Sequence, residues 1–223
     1  MIFKRSLQHL SCFSKPNRFR AFKTYNELFR TSFLNKKNEI NRIISSKNTR
    51  YLRNRKKYFS VLRTPAVINA IDILAPELFE SKDKKILDLG CGYGDYVALF
   101  NGMGHTSIGT ITEKNADDFI FIMKELNIPH AIHDATSSPL PFPDDSFDIV
   151  WSVNVLPLKV FQGHIDYVLS EMHRVLKPGG RVAIRVITKY LPLYGYNAPR
   201  DMMPNNCQLL LESGPFVSWR KCQ

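Results

Sequence analysis

Asp88 stands two residues before a glycine run, Gly90-Cys91-Gly92-Tyr93-Gly94, and directly after the apolar pair Ile86-Leu87. Glycines let a backbone approach a ligand closely, and amides that open a helix can meet a carboxylate. The upstream Asp88 can face an ammonium group. A ligand that carries an amino and a carboxylate group beside a nucleoside suits this set better than a pyrophosphate, which gains nothing from a nearby acid. The dinucleotide fingerprint also places its third glycine one position later. Other residues able to do chemistry are scattered. His130 and His133 flank one apolar run, and i,i+3 spacing on a strand sends them to opposite faces, against a metal pair. His173 lies beside the apolar stripe of a helix, in a structural position. Tyr190, Tyr194 and Tyr196 follow the last apolar run of this region; a phenol there could orient a substrate or pack on a lid, and packing is favoured. Cys12, Cys91, Cys207 and Cys222 show no ligand spacing.

The elements that must position these residues read as alternating strands and helices. Thr64-Pro65 predicts an N-cap and first helical turn, with a buried stripe from Val67 to Leu74 that ends near Pro76. Strands are expected over residues 86–89, 107–111, 130–133, 147–153 and 181–187. Helices are expected over 96–100, 116–126 and 165–176, the last with Ile165, Val168, Leu169, Met172, Val175 and Leu176 at helical spacing and a Lys177-Pro178-Gly179-Gly180 stop. This order implies right-handed crossovers and a mostly parallel sheet covered on both faces, an α/β Rossmann-like fold. Ligands bind such sheets beyond the carboxyl ends of the strands.

Three ordered motifs then carry a resemblance: Ile86 to Gly94; Asp134-Ala135 followed by Leu140-Pro-Phe-Pro-Asp-Asp-Ser-Phe-Asp148; and Arg174-Val-Leu-Lys-Pro-Gly-Gly180. Over about residues 84–188 the chain resembles class I S-adenosylmethionine-dependent methyltransferases of the type 11 group. The resemblance implies S-adenosylmethionine as cofactor and a seven-stranded sheet of order 3-2-1-4-5-7-6 with strand seven antiparallel. It assigns Asp88, Gly90 and Gly92, with Cys91 between them, to the methionine end of the cofactor, and Asp134 and Ala135 to the adenine. It lines the pocket near the reactive methyl with Ser152, Val153 and Asn154, and it names no catalytic residue.

Three departures qualify that carry-over. The family commonly ends strand two with an acid for the ribose hydroxyls, whereas Gly109-Thr110-Ile111-Thr112 precede Glu113 here. Glu113 can replace it from a shifted position, or the ribose is held otherwise, or binding is weak. Val155-Leu156-Pro157-Leu158 stands where the group often has Leu-Glu-His, and Asn154 and Pro157 do not form the Asn-Pro-Pro-aromatic motif of amino-group nucleic-acid methyltransferases. Leu209 to Phe216 resembles the family's last helix and glycine turn with Val217-Ser-Trp219 as strand six, so a truncated last hairpin is expected.

Charge divides the 223 residues at the same boundary. Residues 1–65 carry seventeen Lys and Arg against Glu27 and Glu39, a balance of +15, and the remainder sums to −4. A basic extension over 1–63 and a methyltransferase domain over 64–223 follow. Residues 1–26 contain no acid and alternate basic with apolar side chains, which resembles a mitochondrial transit segment as much as it does a plain basic tail; otherwise the chain is expected in the cytoplasm. Helical spacing recurs from Tyr25 to Ser46, and residues 36–63 interleave cations with Tyr51, Tyr58 and Phe59, as an RNA-binding arm or a solvated helix face would. No stretch reaches the roughly 20 apolar residues of a membrane-crossing helix, so no integral membrane contact is expected. A small-molecule acceptor is favoured, with an RNA methyltransferase or a non-catalytic methyltransferase-like binding protein as the rivals.

Overall fold

The computed structural model describes Lys23 and residues 64–112, 120, 123, 124 and 127–222. Apart from Lys23, the basic extension, with its transit-like segment, helix and RNA arm, lies outside the described residues, and so does Glu113. Of the helix expected over 116–126, only Ile120, Met123 and Lys124 are described, each helical.

Seven strands form one sheet: β1 (Lys85–Asp88), β2 (Thr106–Ile111), β3 (His130–Ile132), β4 (Phe147–Val153), β5 (Leu176–Arg185), β6 (Cys207–Ser213) and β7 (Phe216–Lys221). Their order is β3-β2-β1-β4-β5-β7-β6. The first five pair in parallel, and β7 runs antiparallel between β5 and β6. This is the order that the resemblance implies.

Alternation along each strand splits the apolar residues between two faces. Ile86, Ile149, Trp151 and Ala183 join a core built with helices α1 (Thr64–Leu74) and α2 (Asp95–Gly102). Their neighbours Leu87, Val150, Val182 and Ile184 join a second core with helix α3 (Ile165–Val175). Trp151 anchors the first core and Trp219 the second, both fully buried. Helix α1 is fastened by Arg181, which donates to the Leu74 carbonyl at 2.7 Å and pairs with Glu77 at 3.0 Å.

Two expectations are corrected. Strand β5 starts at Leu176, not Arg181: Leu176 pairs with Phe147, and Lys177 to Gly180 bulge before pairing resumes between Ile149 and Arg181. Glycine is required in the bulge, because a Cβ on Gly180 would lie 2.8 Å from the Lys177 carbonyl oxygen. Secondly, the stretch around Leu209 is no helix, and the last hairpin is not cut short. Residues 207–213 form strand β6, Gly214 turns at φ +56, and β7 runs its six residues back along β5. The leucine run misleads because β6 is an edge strand with a register shift between Leu209 and Leu211, so its burial does not alternate cleanly.

Candidate functional site

Strand β1 ends at Asp88, in register with Gly109 on one side and Trp151 on the other. Its carboxylate is therefore held at the sheet centre, and the residue is only 2% exposed. The chain then bends between strand and helix. Leu89 donates to the Trp151 carbonyl, Gly90 to the Thr110 hydroxyl at 3.1 Å, and Cys91 to the Thr110 carbonyl. Thr110 thus clamps the loop from β2. Gly90 turns at φ +75, and a Cβ there would collide with Val155 at 2.6 Å, so this glycine serves the packing of the loop against the segment after β4.

Gly92 differs. It has φ +57, a Cβ on it would meet nothing within 4 Å, and the residue is partly exposed. A side chain there would project into open space. Two buried carboxylates flank the loop in the chain: Asp88 precedes it, and Asp95 opens α2 at 5% exposure, both close enough to act on Cys91. Burial first, then those two charges, pushes the Cys91 thiol well above its ordinary range. The residues fit the amino-acid end of S-adenosylmethionine: an open glycine turn for close approach and a negative field for its cationic groups.

The structure places the other predicted residues unevenly. The Cys91 side chain turns away from the opening into the first core, with Sγ 3.8 Å from Met123 Sδ. Gly109 is the glycine that makes room for it, since a Cβ there would lie 2.3 Å from the sulfur. Ser152 is fully buried and its hydroxyl donates to the Leu89 carbonyl at 3.2 Å, which braces the loop from behind. Asp134 is exposed beyond β3 and its Oδ1 accepts from the Thr136 amide and hydroxyl at 2.9 and 2.7 Å, bonds that hold its carboxyl below the usual range. Ala135 is buried beside it. Strand β2 ends on buried Ile111, which packs in the first core with no acid among its described neighbours up to Thr112.

Asn154 follows β4 at φ +61, an uncommon conformation for a residue with a side chain. Its amide donates to the Arg185 carbonyl, and its side-chain oxygen accepts from Arg185 Nη1. Tyr194 and Tyr196 pack against the second core, their hydroxyls donating to the Leu158 carbonyl and to Asp166. Burial and Asp166 push the Tyr196 phenol up to about 12, so it remains a donor at neutral pH. Tyr190 instead lies under the Lys189 ammonium, 4.7 Å from its ring centroid. His173 accepts from Trp219 Nε1 at 2.9 Å through Nε2; burial first and then Lys221 lower its pKa. His130 and His133 each bond a backbone carbonyl close in sequence.

The Leu140–Asp148 part of the second motif and the whole of the third sit at the far edge of the sheet. Arg174 bonds the carbonyls of Leu140 and Phe142 and pairs with Asp144 and Glu171. Asp148 accepts from the Lys85 amide at 2.8 Å and pairs with Lys177. These groups lie where β1, β4 and β5 begin, so they tie the amino ends of the strands together and touch nothing at the ligand edge.

Residues 87–184 match the family described as a methyltransferase domain. Methyltransferase GfsG of Streptomyces halstedii is 32% identical over 122 residues, covering 50% of this chain and 42% of that protein. The ubiquinone/menaquinone biosynthesis C-methyltransferase UbiE of Vibrio vulnificus (strain YJ016) is 33% identical over 112 residues, covering 48% and 42%. The 27-O-demethylrifamycin SV methyltransferase of Amycolatopsis mediterranei is 33% identical over 125 residues, covering 53% and 44%. The chain thus spans less than half the length of these curated relatives. Among solved structures, the PH0226 protein from Pyrococcus horikoshii shares the fold at TM-score 0.51 and 20% identity, over 78% of this chain and 91% of that one. An S-adenosylmethionine-dependent methyltransferase from Methanosarcina mazei does so at 0.51 and 17%, over 67% and 99%. Residues 87–184 thus resemble the methyltransferase-domain family, and the sheet has the order of the class I S-adenosylmethionine-dependent methyltransferases, a group whose cofactor is S-adenosylmethionine.

Proposed function

We propose that this protein transfers a methyl group from S-adenosylmethionine to a small-molecule acceptor. The observation that carries the reading is the open glycine turn at Gly92, between the buried Asp88 and Asp95 in the chain, at the carboxyl end of the central strand. Bound there, the cofactor supplies a methyl group already activated by its sulfonium. Asp88 holds the ammonium group, and the Gly92 backbone lies against the carboxylate end. Asp134 and Ala135 flank the adenine. Glu113 takes the ribose hydroxyls, since β2 itself ends without an acid. Cys91 and Ser152 shape the loop from within rather than touch the ligand. What the chain adds to the reaction is alignment and exclusion of water, which can supply much of the rate without a dedicated base. A small acceptor is supported by the relatives whose names specify quinone-biosynthesis and rifamycin substrates. We read residues 1–26 as an import leader, which sequencing of the mature amino terminus from cells tests.

Calorimetry with S-adenosylmethionine is the first test: no heat at high micromolar cofactor eliminates the reading. Transfer of tritiated methyl groups into fractionated cell extract is the second. Label in small molecules supports the proposal, and label in RNA moves the assignment to the basic arm of residues 36–63.

A further inference from the structure

Arg185 closes β5 at the ligand edge of the sheet, in register with Val153 of β4 and Phe216 of β7. Its guanidinium donates to the Asn154 side chain and lies 5.7 Å from the centroid of the Phe216 ring. The other half-buried arginines, Arg174 and Arg181, each face a carboxylate within ion-pair distance. Arg185 faces none among the described residues, although it too is half-buried. A partly desolvated charge without a counter-ion is costly, and such a charge retained at a functional edge is a ready site for an anion.

Position decides which anion. From the register, Asp88 is level with Trp151 and Ala183, so Arg185 lies two strands away and two residues further along, about 12 Å off at ordinary strand spacings. The negative end of the site, at Asp88 and Asp95, suits the cationic cofactor; a guanidinium beside the sulfonium would repel it. Arg185 therefore belongs to the acceptor half. Its backbone and its side chain both fix Asn154, so one of its five N–H donors is used and the planar fork keeps a free edge. That edge matches a carboxylate, which can accept two parallel hydrogen bonds. Lys189, exposed in the turn that leaves β5, adds a second positive charge on the same connection.

We propose that Arg185 anchors a carboxylate of the methyl acceptor, so that the substrate is a small organic acid held with its reactive atom on the side of Asn154. The inference rests on the methyltransferase reading.

The test uses the full chain saturated with S-adenosylhomocysteine and a panel of small aromatic and aliphatic carboxylic acids, each paired with its primary amide, read by saturation-transfer NMR and then titration. Acids should bind in preference to their amides by about tenfold, the worth of a charge-assisted hydrogen-bond pair. Arg185→Gln should erase the preference while leaving S-adenosylhomocysteine affinity in place, and Arg185→Lys, which keeps the charge without the fork, should keep part of it. Equal binding of acids and amides, binding of no acid at all, or a preference that survives Arg185→Gln overturns the anchor with the cofactor reading intact. Failure of the wild-type chain to take up S-adenosylhomocysteine overturns the methyltransferase reading, and the anchor with it.

Discussion

Gly90 and Gly92 sit two residues apart, both at positive φ, and the structure gives alanine opposite consequences at the two positions. At either one, an L-residue in the left-handed region costs about 1–2 kcal/mol. Part of this, about 0.4–1 kcal/mol, is returned because alanine also restricts the unfolded chain. Gly92→Ala has no steric term, since its Cβ meets nothing within 4 Å. A net loss of about 0–1.6 kcal/mol follows, a fall in melting temperature of at most about 6 °C for a domain of this size. Gly90→Ala adds a Cβ 2.6 Å from Val155, and such overpacking costs a further 1–3 kcal/mol or so. Its melting temperature should fall several times further. Cofactor affinity should follow the reverse pattern per folded molecule: Gly92→Ala puts a Cβ into the open space proposed for the ligand and should weaken S-adenosylmethionine binding at least about tenfold, well beyond its stability cost. Melting curves and calorimetry at a temperature where both variants are folded read the two quantities separately. A double-mutant cycle isolates the clash, because Val155→Ala should cost about 1 kcal/mol less in the Gly90→Ala background than in the wild type. The assignment of the open turn to the ligand is refuted if Gly92→Ala binds the cofactor as the wild type does.

The buried Cys91 thiol gives an alkaline signature. Its pKa is raised in the folded state by burial and by Asp88 and Asp95, so the unfolded chain releases this proton first. Stability is then lost as pH rises past about 9, at up to about 1.4 kcal/mol per pH unit; urea midpoints at pH 8, 9 and 10 should fall more steeply for the wild type than for Cys91→Ala. Glu171 acts at the other end of the scale: the Arg174 hydrogen bond and the Leu140 amide hold its carboxyl low against the opposing pull of burial. That stabilisation is present above about pH 4.5 and disappears as pH falls through the folded value, so Glu171→Gln should flatten the acid limb of the same titration. Arg174→Ala, which leaves the buried Glu171 uncompensated, should cost about 2–4 kcal/mol by denaturant unfolding. Because Arg174 works at the amino edge of the sheet, S-adenosylmethionine affinity measured below the melting transition should change less than twofold; a larger loss would contradict the structural reading of that motif.

The parallel centre of the sheet was legible because β1, β4 and the 182–184 stretch of β5 are short apolar runs buried on both faces, and helix α3 because its stripe recurs at 3.6 residues. The start of β5 was not, since Pro178 and two glycines read as a helix stop while in fact forming a bulge within the strand. Nor was the final hairpin, where three consecutive leucines carry no period and the strand is set by its antiparallel partner. At the site, spacing alone pointed to Asp88 and the glycine loop. It could not separate Gly90, a packing glycine, from Gly92, an open one, because that distinction depends on Val155, sixty-odd residues along the chain. Nor could it show that the side chains of Cys91 and Ser152, which the resemblance assigned to the cofactor site, pack into the core and bond the back of the loop. Thr110 and Arg185 went unnoticed for the same reason: each acquires its meaning from a backbone or side-chain partner on a neighbouring strand.

Where the motifs fall also determines what kinship can transfer. The glycine loop is at the ligand edge, but the two later motifs bind the amino ends of β1, β4 and β5 to one another through Arg174, Asp148 and Lys177. A sequence can keep all three while its acceptor changes freely, since the Leu140–Asp148 and Arg174–Gly180 stretches stabilise the scaffold and the proposed cofactor contacts fall to the glycine loop and Asp134-Ala135. The matched segment ends at Ile184. Arg185 is the next residue, and the turn with Lys189 and Tyr190 follows it. The proposed acceptor anchor therefore lies just beyond the matched segment, and substrate identity is to be sought in the charge and shape of residues 185 onward as well as in the residues shared with the relatives.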